Sequence, residues 1–227
     1  MGVWANTVYY WHGTLSLHSK LEVVWSATRH FANFRSFSPA LHRYAWRSQL
    51  PGLLYLQLLD LLVVFGVNDV YDYESDRRNP RKIANSLEGG ILDPTHHSDV
   101  LNAAYLSTIF IISSAFVNFR RDNILATILL VLLGWQYSSP PLRLKEVPVL
   151  DSLSNGGIVF LAWYCGFSFS GLSISNVPSS GIMLSLCTAG IHALGAVVDL
   201  ESDSAAGQTT IATAFGKRAG AIFAASC

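Results

Sequence analysis

The chain has 227 residues, and its 15 basic and 15 acidic side chains leave no formal net charge. Hydrophobic residues make up 51% and charged residues only 13%, with a mean hydropathy of +0.35, whereas an ordinary soluble domain carries about 25% charge. That balance excludes a basic nucleic-acid surface and sets the class as a membrane protein.

Residues 1–49 carry Trp4, Trp11, Trp25 and Trp46 among scattered arginines, with no apolar run long enough to span a bilayer. They lack the basic start, apolar core and cleavage site of a signal peptide. They are expected to form a leader that lies at the membrane interface or an altered first helix. Residues 50–227 are expected to form the membrane domain.

A spanning helix takes about 20 mostly apolar residues. Stretches 50–67, 101–117, 156–174 and 180–198 approach that length, and 124–136 is short unless it extends through Tyr137 and Ser138. Polar turns at 118–123 and 175–179 pair these stretches as hairpins. From Ala219 the chain is apolar again but ends at Cys227, too soon to cross. Cys165, Cys187 and Cys227 show no CxxC spacing, and two lie in apolar runs, which predicts buried thiols rather than a disulfide or a zinc site.

The segment Asn68-Asp69-Val70-Tyr71-Asp72-Tyr73-Glu74-Ser75-Asp76 follows the first apolar stretch directly. Read as a helix, it gathers Asn68, Asp69, Asp72 and Asp76 within an arc of roughly 100° and turns Glu74 to the opposite side. Converged carboxylates raise one another's pKa unless a cation compensates. The spacing therefore points to a divalent metal site of oxygen ligands, suited to Mg²⁺, with a solvated polar helix end as the alternative.

Alternating the spans places Arg77, Arg78, Arg81 and Lys82, then Arg143 and Lys145, then Lys217 and Arg218 on one side, and only Arg120 and Arg121 opposite. The positive-inside rule makes the first side cytosolic. The leader's Arg29, Arg35, Arg43 and Arg47 fall on the other side, a conflict that a further helix before residue 50 would resolve. The cytosolic side also receives Asp199 and Asp203, stacked by their i, i+4 spacing, with Glu201 pointing away. His192, seven residues before Asp199, shares its face roughly 10 Å deeper. It reads as a hydrogen-bonded interior histidine that lines the same cavity. Between the acidic segments, Tyr137-Ser138-Ser139-Pro140-Pro141-Leu142-Arg143-Leu144-Lys145 forms a turn whose Arg and Lys suit a diphosphate or, equally, plain anchoring at the membrane surface.

Together, NDxxDxxxD at Asn68–Asp76, DxxxD at Asp199–Asp203, the Tyr137–Lys145 loop and the Gly207–Gly220 segment resemble the UbiA superfamily of membrane-embedded prenyltransferases. The details around Asp69–Lys82 are most similar to its lycopene elongase-like branch. The resemblance implies an all-α, polytopic transmembrane helix bundle of about nine spans around a central cavity, so the chain is expected to be incomplete at its C-terminal end. It implies Asp69, Asp72, Asp76, Asp199 and Asp203 as catalytic Mg²⁺ ligands, and Asn68, Tyr137, Arg143 and Lys145 as the diphosphate-binding set. Arg77, Lys82 or Lys217 would assist, and Tyr137 or Trp163 would shield an allylic cation. The implied reaction passes a prenyl group from a prenyl diphosphate to a lipophilic acceptor, with membrane lipid and no nucleic acid as partners. A terpene cyclase of the same family and a truncated, non-catalytic membrane protein remain the alternatives.

Overall fold

The computed structural model describes residues 59–79, 91–117 and 119–227. The leader at 1–49, the first half of the first apolar stretch (50–58), Arg81 and Lys82 lie outside the described residues. Those described are helical or in turns, with no strand among them, which agrees with the all-α expectation.

The first apolar stretch arrives as a π-helix, Leu59–Gly66, and continues as α1, Val67–Tyr71, and α2, Tyr73–Asp76. The acidic segment is thus two short helices rather than one. Asp72 stands between them with φ −96° and ψ −2°.

Helix α3, His97–Val117, follows a 3₁₀ turn at Pro94–His96. Asp93 caps that turn by accepting from the Thr95 amide at 2.9 Å and the Thr95 hydroxyl at 2.7 Å. Pro94 occupies a first-turn position, where its missing N–H costs nothing.

Helix α4, Arg121–Ser138, takes the longer of the two expected extents and includes Tyr137 and Ser138. It ends at Ser139 ahead of a cis Pro140–Pro141 bond and a 3₁₀ turn at Leu144–Glu146. Helix α5, Leu150–Phe169, begins six residues earlier than its apolar stretch predicts. Asp151, Ser152 and Ser154 in its first turns are buried and hydrogen-bonded, so polarity that reads as loop in the sequence is satisfied as helix.

Helix α6 is Ser179–Val198, α7 is Leu200–Ala206 and α8 is Ile211–Ser226. Gly207, at φ 75°, closes α7 in the left-handed conformation that favours glycine. Thr210 and Thr213 cap α8 reciprocally, and Gly216, at φ 86° and ψ 164°, breaks it.

Helices α3, α4, α5, α6 and α8 pack each against the next, and the π-helix leans on α3 and α4. One apolar cluster joins Val63, Val67, Ala104, Ile111, Leu130, Val131 and Ile158. A second joins Ala193 and Ala196 of α6 to Ile211 and Ala212 of α8. Lipid supplies no hydrophobic force between helices, so close approach and polar bonds across the seams decide the packing. At Gly156 an added Cβ would stand 2.6 Å from the Ser185 carbonyl, and Ser185 donates to the Gly156 carbonyl at 2.7 Å. Asn123 likewise crosses from α4 to the Cys165 carbonyl of α5 at 2.7 Å.

Among the described residues, Pro94–Val117 and Ser179–Val198 are long and apolar enough to cross a membrane. Their outer faces leave Leu106 68% and Val198 70% exposed, which would be unfavourable in water over so large an area. None of the cysteines is bridged, and Cys187 is exposed on α6 rather than buried, because it falls on that helix's outer face.

Candidate diphosphate-binding site

The acidic segment keeps its predicted facing although its helix breaks. Asp72 donates its amide to the Asn68 carbonyl, and Asp76 to that of Asp72, each at 2.8 Å. These i, i+4 bonds run through the break and hold Asn68, Asp72 and Asp76 in one row. Asp72 and Asp76 are each only 4% exposed, while Glu74 turns outward and pairs with Arg77 at 3.8 Å. Asp69 is half-buried on α1.

The Tyr137–Lys145 loop reaches this row. The Ser138 hydroxyl donates to Asn68 Oδ1 at 2.9 Å, and Lys145 Nζ donates to the same oxygen at 2.9 Å. Lys145 also pairs with Asp72 Oδ2, and Arg143 lies 3.5 Å from Asp72 Oδ1 while pairing with Glu146. Arg143 holds a left-handed backbone, φ 41°, a costly conformation away from glycine that is kept here by these contacts. Burial pushes the Lys145 ammonium down to about 8, against the opposing pull of Glu146 and Asp69.

Two buried atoms in this group, Asp72 Oδ1 and Arg143 Nε, have no hydrogen-bond partner among the described residues. Unsatisfied buried groups of this kind cost about 1–3 kcal/mol each. One is an anionic acceptor and the other a cationic donor, so the pair is complementary to a ligand that carries both a cation and an anion.

The second acidic segment joins the first from the far side. Asp199 ends α6 and opens α7, and Asp203, 9% exposed, donates its amide to the Asp199 carbonyl at 2.8 Å. Gln208, whose own amide is held by the Asp203 carbonyl at 2.8 Å, reaches the Ser75 hydroxyl at 3.4 Å. Ser75 in turn donates to the Asp72 carbonyl. Glu201 is exposed and sits 3.9 Å from Lys217, as its predicted orientation requires. That pairing, and the Arg77–Glu74 pair, set both of these basic residues on the outer side.

Among the described residues, no three carboxylate, imidazole or thiolate groups close on one point where a metal could sit. Mg²⁺ does not require three, since it usually takes one or two carboxylates and completes its shell with substrate phosphates and water. Hard oxygen donors, a buried Asp72 oxygen without a donor and nearby cations fit an ion shared with a diphosphate.

Two predicted residues stand elsewhere. The Tyr137 hydroxyl meets His192 Nε2 at 3.0 Å instead of turning to the carboxylates. Trp163 stacks on Phe167, 4.9 Å between ring centres, against the α5–α6 seam at Gly181. The structure adds residues that the motif reading passes over. Glu146 accepts from the same Arg143 nitrogen, Nη2, that faces Asp72, Ser138 braces Asn68, and Asp151 is fully buried with its carboxylate on the Ser152 and Ile211 amides. A lone aspartate opening an apolar stretch was the available signal for Asp151.

Outward apolar faces, with charged side chains gathered where loops meet helix ends, are the build of a membrane-embedded helical protein. The chain belongs to the UbiA prenyltransferase family, whose profile matches residues 52–227. The chain is 35% identical over 176 residues to a lycopene elongase/hydratase of Corynebacterium glutamicum, covering 75% of this chain and 59% of the relative. It is 34% identical over 161 residues to a lycopene elongase/hydratase of Halobacterium salinarum, covering 68% of this chain and 54% of that one. A UbiA homolog from Archaeoglobus fulgidus bound to DMAPP and Mg²⁺ shares the fold, with a TM-score of 0.62 at 23% identity, over 78% of this chain and 59% of that structure. The same homolog bound to GPP and Mg²⁺ gives a TM-score of 0.60 over 80% of this chain and 61% of that structure. The chain thus spans less than two thirds of the length of each of these relatives.

Proposed function

We propose that the chain belongs to a Mg²⁺-dependent membrane prenyltransferase that moves a prenyl group from a prenyl diphosphate to a lipophilic acceptor, with the site facing the cytosol. The observation that carries this reading is the meeting of Asn68 and Asp72 with Arg143 and Lys145, linked through Ser75 and Gln208 to the segment that holds Asp199 and Asp203. The names of the relatives favour a carotenoid of the lycopene type as acceptor.

Asp69, Asp72 and Asp76 would hold Mg²⁺ from one side, and Asp199 and Asp203 from the other. Bound there, the metal would neutralise the departing diphosphate and so lower the cost of ionisation. Arg143 would turn its fork, and Lys145 its compact charge, from Asp72 to the phosphate oxygens. Asn68, already shared by Ser138 and Lys145, would orient that lysine. The apolar helices would keep water from the allylic cation.

The test incubates membranes containing the chain with labelled dimethylallyl diphosphate, with and without lycopene, and follows release of diphosphate and the products. Release should depend on Mg²⁺ and fall by at least 100-fold in Asp72→Ala and Asp203→Ala. Undiminished release in both variants would remove these aspartates from the site. A cyclic hydrocarbon made without acceptor would replace transfer by cyclisation.

A further inference from the structure

His192 lies within α6, two turns before Asp199, and an ionisable side chain at that depth has to be explained by function or by full satisfaction. Both ring nitrogens are engaged. Nε2 meets the Tyr137 hydroxyl at 3.0 Å, and Nδ1 meets the Ser152 hydroxyl at 3.2 Å. The three residues come from α4, α6 and α5, so three helices converge on one imidazole.

Ser152 and its neighbour Asp151 are both fully buried, and the Asp151 carboxylate accepts two backbone amides, from Ser152 at 2.7 Å and Ile211 at 2.9 Å. Those bonds suit an ionised carboxylate, which is an acceptor only. A fixed negative charge next to Ser152 is what an imidazolium would need there. Tyr137 and His192 are each half-buried as whole residues. Tyr137 immediately precedes Ser138, which holds Asn68, and His192 shares the face of Asp199 roughly 10 Å below it. The dyad therefore stands just under the charged site, where the hydrocarbon of a bound prenyl diphosphate would run.

We propose that Tyr137 and His192 together accept the proton that ends the transfer, an inference that rests on the prenyltransferase reading above. The allylic C–O bond breaks and its electron pair leaves with diphosphate. The allylic carbon then bonds to an acceptor alkene through that alkene's π pair, which leaves a cation on the adjacent carbon. A neighbouring C–H bond breaks, its pair becomes the new C=C, and its proton passes to the Tyr137 oxygen as the phenol's own proton moves to His192 Nε2. Nδ1–H stays on Ser152, Asp151 balances the imidazolium, and the proton later leaves to water. With nothing placed to take that proton, the cation persists until water captures it as an alcohol. The dyad thus sets the ratio of alkene to alcohol.

The experiment gives membranes containing the full chain dimethylallyl diphosphate and lycopene, and measures released diphosphate and product masses together. The wild type is expected to yield mostly alkene. His192→Gln should shift the alkene-to-alcohol ratio at least tenfold toward the alcohol, with a product heavier by one water. Ser152→Ala, which only frees the ring's second nitrogen, should shift it the same way by less. An unchanged ratio in both variants, or a wild-type product that is entirely alcohol, overturns the proposal while leaving the transferase reading intact. A wild type that releases no diphosphate overturns the transferase reading and the proposal with it.

Discussion

The Asp151 carboxylate holds the Ile211 amide at 2.9 Å across 60 positions of the chain. It ties the first turn of α5 to the start of α8 and so fixes the segment that leaves the second acidic motif. Asp151→Ala would strand that buried N–H and should cost about 1–3 kcal/mol. Asp151→Asn keeps an acceptor and should cost less. Thermal unfolding in detergent ranks the two, and an alanine variant as stable as the asparagine variant would contradict the assigned role.

Lys145 and Asp72 form a buried pair, with side chains 11% and 5% exposed. Lys145→Met would leave buried Asp72 with only Arg143, at 3.5 Å, to compensate it, so the loss should fall at or below the low end of the about 3–5 kcal/mol for breaking a buried pair. The double variant Lys145→Met with Asp72→Asn should lose less than the sum of the two single changes. A double-mutant cycle on unfolding free energy gives the coupling, and additive losses would mean the pair does not interact.

The glycines at helix crossings should differ in their tolerance. Gly156→Ala drives a Cβ to 2.6 Å from the Ser185 backbone, whereas at Gly220→Ala the one clash is with the Val197 side chain at 2.7 Å, Ala212 standing at an ordinary 3.7 Å. Backbone cannot rotate away, so Gly156→Ala should approach the upper end of the roughly 1–3 kcal/mol typical of overpacking. Gly220→Ala should stay near the lower end. Melting temperatures of the two variants would settle the order, and the reverse order would count against the α5–α6 seam.

Asp93 carries a carboxyl held below its usual range, first by the Thr95 hydroxyl and then by the Thr95 amide. Its folded pKa is depressed, so its capping contribution is present above the unfolded value near about 3.9 and is lost as pH falls through the folded value. Hydrogen exchange at the Thr95 amide should quicken relative to neighbouring amides in that acid window. Asp93→Asn should show no such step.

Much of this arrangement is legible in the amino-acid sequence. The two aspartate-spaced segments, the basic loop between them and the apolar stretches follow from side-chain chemistry and helical period alone. Glu74 and Glu201 point away because 100° per residue puts them there. What the sequence concealed was tertiary. The early start of α5 depends on Asp151 finding the amide of Ile211, and the break at Asp72 is invisible to a periodic count because the i, i+4 bonds carry on through it. The turn of Tyr137 toward His192 depends on how α4 meets α6, which no spacing within either helix encodes.

Arg143 bridging Glu146 and Asp72, beside Lys145, makes a group of two cations and two carboxylates. At neutral pH such a quartet sums to zero, so at long range it exerts little pull on a bare polyanion. A free diphosphate would take over the two cations and leave both carboxylates unpaired. An anion that arrives with its own divalent counter-ions can exchange partners one for one, leaving every charge in the group matched throughout. If a prenyl diphosphate enters as proposed, the quartet would act as a filter on its ionic form, favouring a neutralised complex over a naked anion before any part of the hydrocarbon is recognised.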